Sequence, residues 1–318
     1  MRGSILASAT ASNVQRARMT IVADARTEIE LEDDVKPRGW LTVARQFAYR
    51  NPLGAAGGVV IVVMILVALF ADFIAPYNPV ANAFDRLHQP PSLENLFGTD
   101  QFGRDVFSRI VYGARTALLV GFVSAFVGAF IGLVLGVASA YFGGRIDLIF
   151  QRVLDVFMAF PIIILALAVI SIFGTGTHNV IIAITIPFIP RCARVVRSTA
   201  LAIREMPYID AARACGFSHS RIILRHMVPN VMAPFLIMIT AFVGQAILLE
   251  ASLSYLGLGV QEPTPAWGLM LQGGAEEYAE SAPWIAIFPG IAISLAVFGF
   301  SLFGDAVRDE LDPKLRSR

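Results

Sequence analysis

The sequence predicts an all-α, polytopic membrane fold, and three observations carry that prediction. Hydrophobic residues make up 56% of the 318 positions and charged residues only 15%, where a water-soluble domain carries roughly a quarter. The charges are clustered, leaving uncharged runs at 51–71, 116–144, 156–190, 226–249 and 281–304. Crossing a bilayer takes about 20 apolar residues, so each run is a candidate span. The third is long enough for parts of two helices and is interrupted by Gly174-Thr-Gly-Thr-His-Asn179. Six transmembrane helices result, near 53–75, 115–140, 148–173, 179–199, 230–251 and 284–304.

Residues 1–39 mix Ser, Ala, Arg and acids without periodicity and read as a disordered cytoplasmic tail. They hold no apolar stretch like a signal peptide's core, so the first span is expected to stay as an anchor. Met1 and Met19 are both candidate translation starts. In 40–50, Trp40, Val43 and Phe47 recur at helical spacing while Arg45 and Arg50 face elsewhere. An amphipathic helix on the membrane surface and a plain juxtamembrane linker both fit. The second span repeats small residues at Gly128, Gly132, Gly136 and Ala140, stacking them on one face where another backbone can approach. That face serves packing within the chain or contact with another subunit. Pro187 and Pro190 remove two backbone donors from the fourth span and are expected to kink it, which makes them gate candidates. Residues 204–229 form a loop before the fifth span, and 305–318 a cytoplasmic tail.

Orientation follows from Lys and Arg in the flanks. Eight lie before the first span, and the loop after the fourth carries Arg191, Arg194, Arg197, Arg204, Arg213, Arg221 and Arg225. Residues 251–283 hold none, carrying Glu262, Glu276, Glu277 and Glu280 instead. Both termini and the 191–229 loop are therefore cytoplasmic, as an even number of spans requires. The 76–112 region fits less cleanly, since it carries Arg86, Arg104 and Arg109 on the outer side.

Several functions have no foothold. The net charge of +1 makes no electrostatic case for a nucleic-acid partner. A P-loop needs a Gly-rich turn followed by Lys, and neither lysine, Lys36 or Lys314, follows one. Ion-coupled carriers bury titratable groups inside spans. Here Arg152 and Asp155 are spaced to pair near a helix start, and Asp72 and Glu250 sit toward outer ends. His88, His178, His219 and His226 lack metal-ligand spacing, and Cys192 and Cys215 make no disulfide framework. No catalytic constellation can be assembled, so the chain is not expected to be an enzyme, nor to bind a metal or cofactor itself.

The informative segment is Tyr208-Ile-Asp-Ala-Ala-Arg-Ala-Cys-Gly216, followed by Val228-Pro229. It is basic and helix-prone, it lies between spans, and Ala212 and Gly216 share a helical face where a partner could come close. Asp210 stands near a helix N-terminus, where the dipole favours a carboxylate. Asp210-Ala211-Ala212, then Gly216, then Val228-Pro229 resembles the EAA loop of ATP-binding cassette importer permeases, with Asp for the usual Glu and Val for the usual Leu. The resemblance extends from about Arg50 onward. It includes Asn51-Pro-Leu, Phe97-Gly-Thr-Asp-Gln-Phe-Gly-Arg-Asp-Val-Phe-Ser-Arg109, Tyr141-Phe-Gly-Gly144, Glu250-Ala-Ser-Leu-Ser-Tyr-Leu-Gly-Leu-Gly-Val260, Pro263-Thr-Pro-Ala-Trp-Gly268 and the tail at 304–313. These are similar to the C-type membrane subunit of the dipeptide, oligopeptide and nickel group.

The resemblance implies a type I importer permease fold in a bacterial or archaeal cytoplasmic membrane. It implies as partners a second, B-type permease, two ATP-binding subunits that hold ATP and magnesium, and an extracytoplasmic substrate-binding protein. It assigns the seat for the ATPase to Asp210, Ala211, Ala212, Gly216 and Pro229. Arg213 is either a polar contact there or simply a topology determinant. Peptides are the expected cargo, with nickel or another small solute as the alternative. An autonomous channel or carrier, and a structural scaffold, are the readings from other classes. The outer Gly98-Thr-Asp100 and Gly103-Arg-Asp105 are expected to form a loop held by exposed local ion pairs, each worth under about 1 kcal/mol. That loop and 263–280 are candidate landing surfaces for the binding protein.

Overall fold

A computed structural model of the protein describes residues 40–276 and 278–311; the expectations for 1–39, Met19 and 312–318 lie outside it. The chain divides at Pro52 into two units. The first contributes one described helix, α1 (Trp40–Arg50). Arg45 of α1 lies over the Tyr49 ring at 5.6 Å; the side chains of Trp40 and Val43 are outside the described set.

The second unit is built of helices joined by turns and loops, the longest non-helical stretches among its described residues being 75–105 and 256–266. Its elements are α2 (Pro52–Leu69), α3 (Ala71–Ile74), α4 (Val106–Phe142), α5 (Gly144–Met158), α6 (Ile162–Phe173), α7 (Thr177–Arg204), α8 (Pro207–Ala214) and α9 (His219–Ile222). A π turn (Ile223–Met227) and a 3₁₀ turn (Val228–Val231) then lead into α10 (Met232–Tyr255), α11 (Trp267–Glu276) and α12 (Trp284–Leu311). Five helical stretches are long and apolar enough to cross a membrane, six if the bent pair α5–α6 counts as one.

The pair α4–α7 forms the centre. Gly128, Gly132 and Gly136 of α4 leave no room for a side chain. A Cβ on Gly132 would stand 2.6 Å from Cys192 Cβ and 2.9 Å from the Ile189 carbonyl, both on α7. The small-residue face is therefore filled by this chain's own α7, with Phe188 stacked in turn on Phe242 of α10 at 4.2 Å.

Four points correct or extend the expectations. The helix that holds the second span begins at Val106, so Val106–Arg109, read as the end of an outer segment, is helix. Asp105 starts it: its side chain accepts the Ser108 N–H at 2.8 Å, an N-cap that satisfies an otherwise orphaned donor. The third span is not straight. It bends by 91° between α5 and α6, where Pro161 cannot donate to the helix, and α6 alone is about 18 Å long, too short to cross. Asp155 pairs with Arg194 rather than Arg152, and Asp147 takes Arg197 through two hydrogen bonds of 2.6 Å. These cross-helix pairs tie α5 to α7. Finally, α12 continues to Leu311, so the first part of the expected tail, 305–311, is helical.

Pro187 and Pro190 both lie inside α7, which runs unbroken from Thr177 to Arg204. Both prolines are buried against neighbouring helices, and that packing holds the helix together where two backbone bonds are missing.

Candidate functional site

The loop between α7 and α10 folds into two short helices that stand on the end of α4. Pro207 opens α8 at a position where its missing N–H costs nothing. Gly216 closes it with φ +75°, a left-handed conformation that L side chains adopt reluctantly. The Phe217 N–H donates to the Ala212 carbonyl at 3.1 Å and the Gly216 N–H to the Arg213 carbonyl at 2.9 Å, which is a Schellman cap. Ser218 then caps α9 through the Arg221 N–H. Gly216 is thus required by the turn, while the space around it is open.

The sequence placed Ala212 on the partner-facing side, and the structure turns it inward. Ile209 and Ala212 are buried in the hydrophobic core. Tyr208, Asp210, Ala211, Arg213, Ala214, Cys215 and Gly216 are exposed. The reason is the period of the helix: Ile209 and Ala212 are three apart, and the large apolar residue decides which face goes down.

Arg213 donates to Asp210 at 3.1 Å, and its guanidinium lies 5.5 Å from the Tyr141 ring centroid at the end of α4. The Tyr141 hydroxyl is 2.7 Å from His219 Nδ1. In the sequence Tyr141 stands out only within Tyr141-Phe-Gly-Gly144 and His219 only among histidines without metal-ligand spacing, and nothing in a 78-residue separation announces the bond between them. Pro229 is exposed within the 3₁₀ turn, where the helical path from α9 to α10 changes pitch. There the Asn230 side chain donates to the His226 carbonyl at 2.6 Å, satisfying an acceptor at the irregularity.

At the opposite end of α4 the expected exposed ion pairs are instead a buried cluster. Asp100, Arg104, Asp105 and Arg109 are all at most 4% exposed. Arg104 Nε donates to Asp100 at 2.7 Å, and its two terminal nitrogens reach Glu262 at 2.7 and 3.1 Å. Arg109 donates to Glu262 at 3.3 Å and to the Pro79 carbonyl at 3.0 Å. Burial works against the Arg104 charge, but its bonds to Glu262 and the fields of Asp100 and Glu262 outweigh it, leaving the guanidinium more basic than usual. The cluster joins the loop before α4 to the segment after α10, and Trp284 of α12 donates to the Thr99 carbonyl at 3.2 Å. Around it the Asp72 carboxylate is held below its ordinary pKa by Arg115 and then Tyr112. Glu250 is buried in α10, where it accepts from Ser254 at 2.7 Å.

An apolar groove of about 510 Å³ opens along α6, α10, α11 and α12, lined among others by Ile163, Leu248, Tyr255, Leu271 and Ile293. Among the described residues no group of three His, Cys, Asp or Glu is placed to hold a metal ion.

Comparison with known proteins places these features in context. Residues 128–317 match the family described as binding-protein-dependent transport system inner membrane component. Residues 40–91 match the N-terminal transmembrane domain of oligopeptide transport permease C. A putative peptide transport system permease protein of Brucella abortus biovar 1 is 42% identical over 91% of this chain and 97% of its own length. The dipeptide transport system permease protein of Alkalihalophilus pseudofirmus is 44% identical over 84% and 88% respectively. Among solved structures, the inward-facing MetNI methionine ABC transporter aligns with 64% of this chain and 96% of its own, at a TM-score of 0.52 and 20% identity. That likeness concerns the fold.

Proposed function

Because this chain belongs to the binding-protein-dependent transport system inner membrane components, a multi-pass inner-membrane family, we propose that it is the C-type permease subunit of an ATP-driven importer of short peptides. The names of its relatives support the cargo class. The observation that carries the mechanism is the exposed α8–α9 loop: a capped helix outside the spans, with Asp210, Ala211 and Gly216 on its open side.

In this reading α8 sits in a groove of one of two ATPase subunits, which bind and hydrolyse ATP with magnesium. A second permease completes the pathway, and an extracytoplasmic binding protein delivers the peptide. ATP draws the ATPases together, and each carries its seated helix as a rigid body. The attached spans then shift between inward- and outward-open populations. The chain's own contribution is a wall without fixed charge, such as the apolar groove, and a handle that the engine can grip.

The test is Ala211→Trp. Ala211 is exposed, so the indole adds bulk on the docking side without entering the core. Membrane insertion and the detergent-solubilised fold should persist while ATPase subunits no longer co-purify and dipeptide uptake stops. Normal co-purification and uptake would show the seat to lie elsewhere. Uptake of nickel but not dipeptide would keep the machine and change its cargo.

A further inference from the structure

We propose that Tyr141 is the positioning residue through which the α8–α9 loop drives α4, an inference that rests on the transport reading above. One side chain at the end of α4 is held by both helices of the loop. Arg213 of α8 covers its ring at 5.5 Å, and His219 of α9 bonds its hydroxyl at 2.7 Å. Arg213 is itself fixed by Asp210, one of the exposed residues of the proposed seat. Tyr141 as a whole is 6% exposed, and its hydroxyl bond to His219 lies at the edge of the buried region, where His219 itself is exposed.

The consequence follows from what α4 connects. It is one helix of 37 residues, about 55 Å long at 1.5 Å per residue. Its far end carries Asp105 and Arg109, which belong to the buried outer cluster with Glu262. Along its middle the glycine face is locked onto α7. A force on α8 therefore reaches the core by two routes. One is covalent, through Glu205 and Met206 into α7. The other is lateral, through Arg213 and His219 onto Tyr141. The Arg204 guanidinium, donating to the Ala140 carbonyl at 3.0 Å, closes the small frame between them. Without the lateral route, α8 pulls α7 alone, and α4 follows only as far as its packing obliges.

The experiment uses the full importer, co-expressed with its partner subunits and reconstituted in liposomes, with a radiolabelled dipeptide as probe and ATP hydrolysis measured in parallel. Tyr141→Phe keeps the ring beneath Arg213 and removes only the hydroxyl. It should leave assembly and ATP hydrolysis within about twofold of the unmodified complex while dipeptide imported per ATP falls about fivefold, the size of one lost hydrogen bond. His219→Ala should reproduce the loss. His219→Gln, which can still bond the hydroxyl, should restore most of it. A merely structural role would lower hydrolysis, assembly and uptake together and leave their ratio unchanged. An unaltered ratio in both Tyr141→Phe and His219→Ala overturns the proposal. If the unmodified complex hydrolyses no ATP with its partners, the transport reading itself falls and takes this inference with it.

Discussion

Arg104 and Glu262 are 158 residues apart in sequence and share two hydrogen bonds, at 2.7 and 3.1 Å. The Arg104 side chain is 4% exposed and also serves Asp100, while Glu262 is 39% exposed, so the fork joins two outer segments through a contact that is dry on one side only. Arg104→Met takes from the buried Asp100 its closest cation and leaves it Arg109 at 3.6 Å and two backbone N–H donors, so the loss falls below that of a fully orphaned charge. Breaking a buried pair from one side costs about 3–5 kcal/mol, and the half-exposed Glu262 side reduces its share through solvent screening. The expected result is a marked fall in the thermal midpoint of the detergent-solubilised protein for Arg104→Met and a smaller one for Glu262→Gln. Equal midpoints for wild type and Arg104→Met would show the cluster to be idle.

Acid should release the clasp between Asp72 and Arg115, whose side chains meet at 3.0 Å. The Asp72 pKa is depressed by its hydrogen bonds from Arg115 and Tyr112. A depressed carboxylate contributes stability above its unfolded value, about 3.9, and that contribution is lost as pH falls through the lower folded value. The difference in thermal midpoint between wild type and Asp72→Asn should therefore be flat from neutral pH down to about 4 and close below that. The pair is exposed, so the difference will be small and will shrink with salt. A gap that widened on acidification would contradict the pairing.

The spans and the docking loop were legible because they depend on local composition: uncharged runs set the one, and a short ordered motif the other. What stayed hidden depends on residues distant in sequence. The outer arginines read as exposed because Glu262, their partner, lies beyond four spans. Ala212 read as outward because the small residues were counted before Ile209, whose burial fixes the helix's orientation. The bend before α6 did leave a signal. Arg145, Asp147, Arg152 and Asp155 crowd a stretch that a straight span would have to bury, and Pro161 follows. Charge density read together with that proline would have separated α5 from α6.

Gly132→Val tests the central pair of helices. Its new Cβ would fall 2.6 Å from Cys192 Cβ and 3.0 Å from the Ala193 nitrogen, both on a helix that cannot retreat without disturbing α10. Overpacking of this kind costs about 1–3 kcal/mol or more. The expected outcome is low yield of folded protein or a strongly reduced midpoint. Gly58→Ala provides the control, because its Cβ would meet only the Phe303 ring at 3.4 Å. Should both variants behave alike, the close α4–α7 approach is not what the glycines are for.

Gly216 allows conformation and surface to be separated at the loop itself. Its φ of +75° disfavours a β-branched residue, while asparagine tolerates that region. No atom lies within 4 Å of a Cβ built there, so bulk alone disturbs nothing inside the chain. Gly216→Val should uncap α8 at a cost of about 1–2 kcal/mol, releasing the bonds from Gly216 and Phe217 to the last turn. Gly216→Asn should keep the cap yet place an amide on the exposed side. Limited proteolysis of the 205–220 segment reads the first effect, and co-purification of ATPase subunits the second. If the glycine is there for the turn, valine opens the loop to protease and asparagine does not. If it is there for the partner, both lose the ATPase while only valine exposes the loop. Retention of the ATPase by asparagine, with proteolysis unchanged, assigns Gly216 to the cap alone and leaves the seat to Asp210 and Ala211.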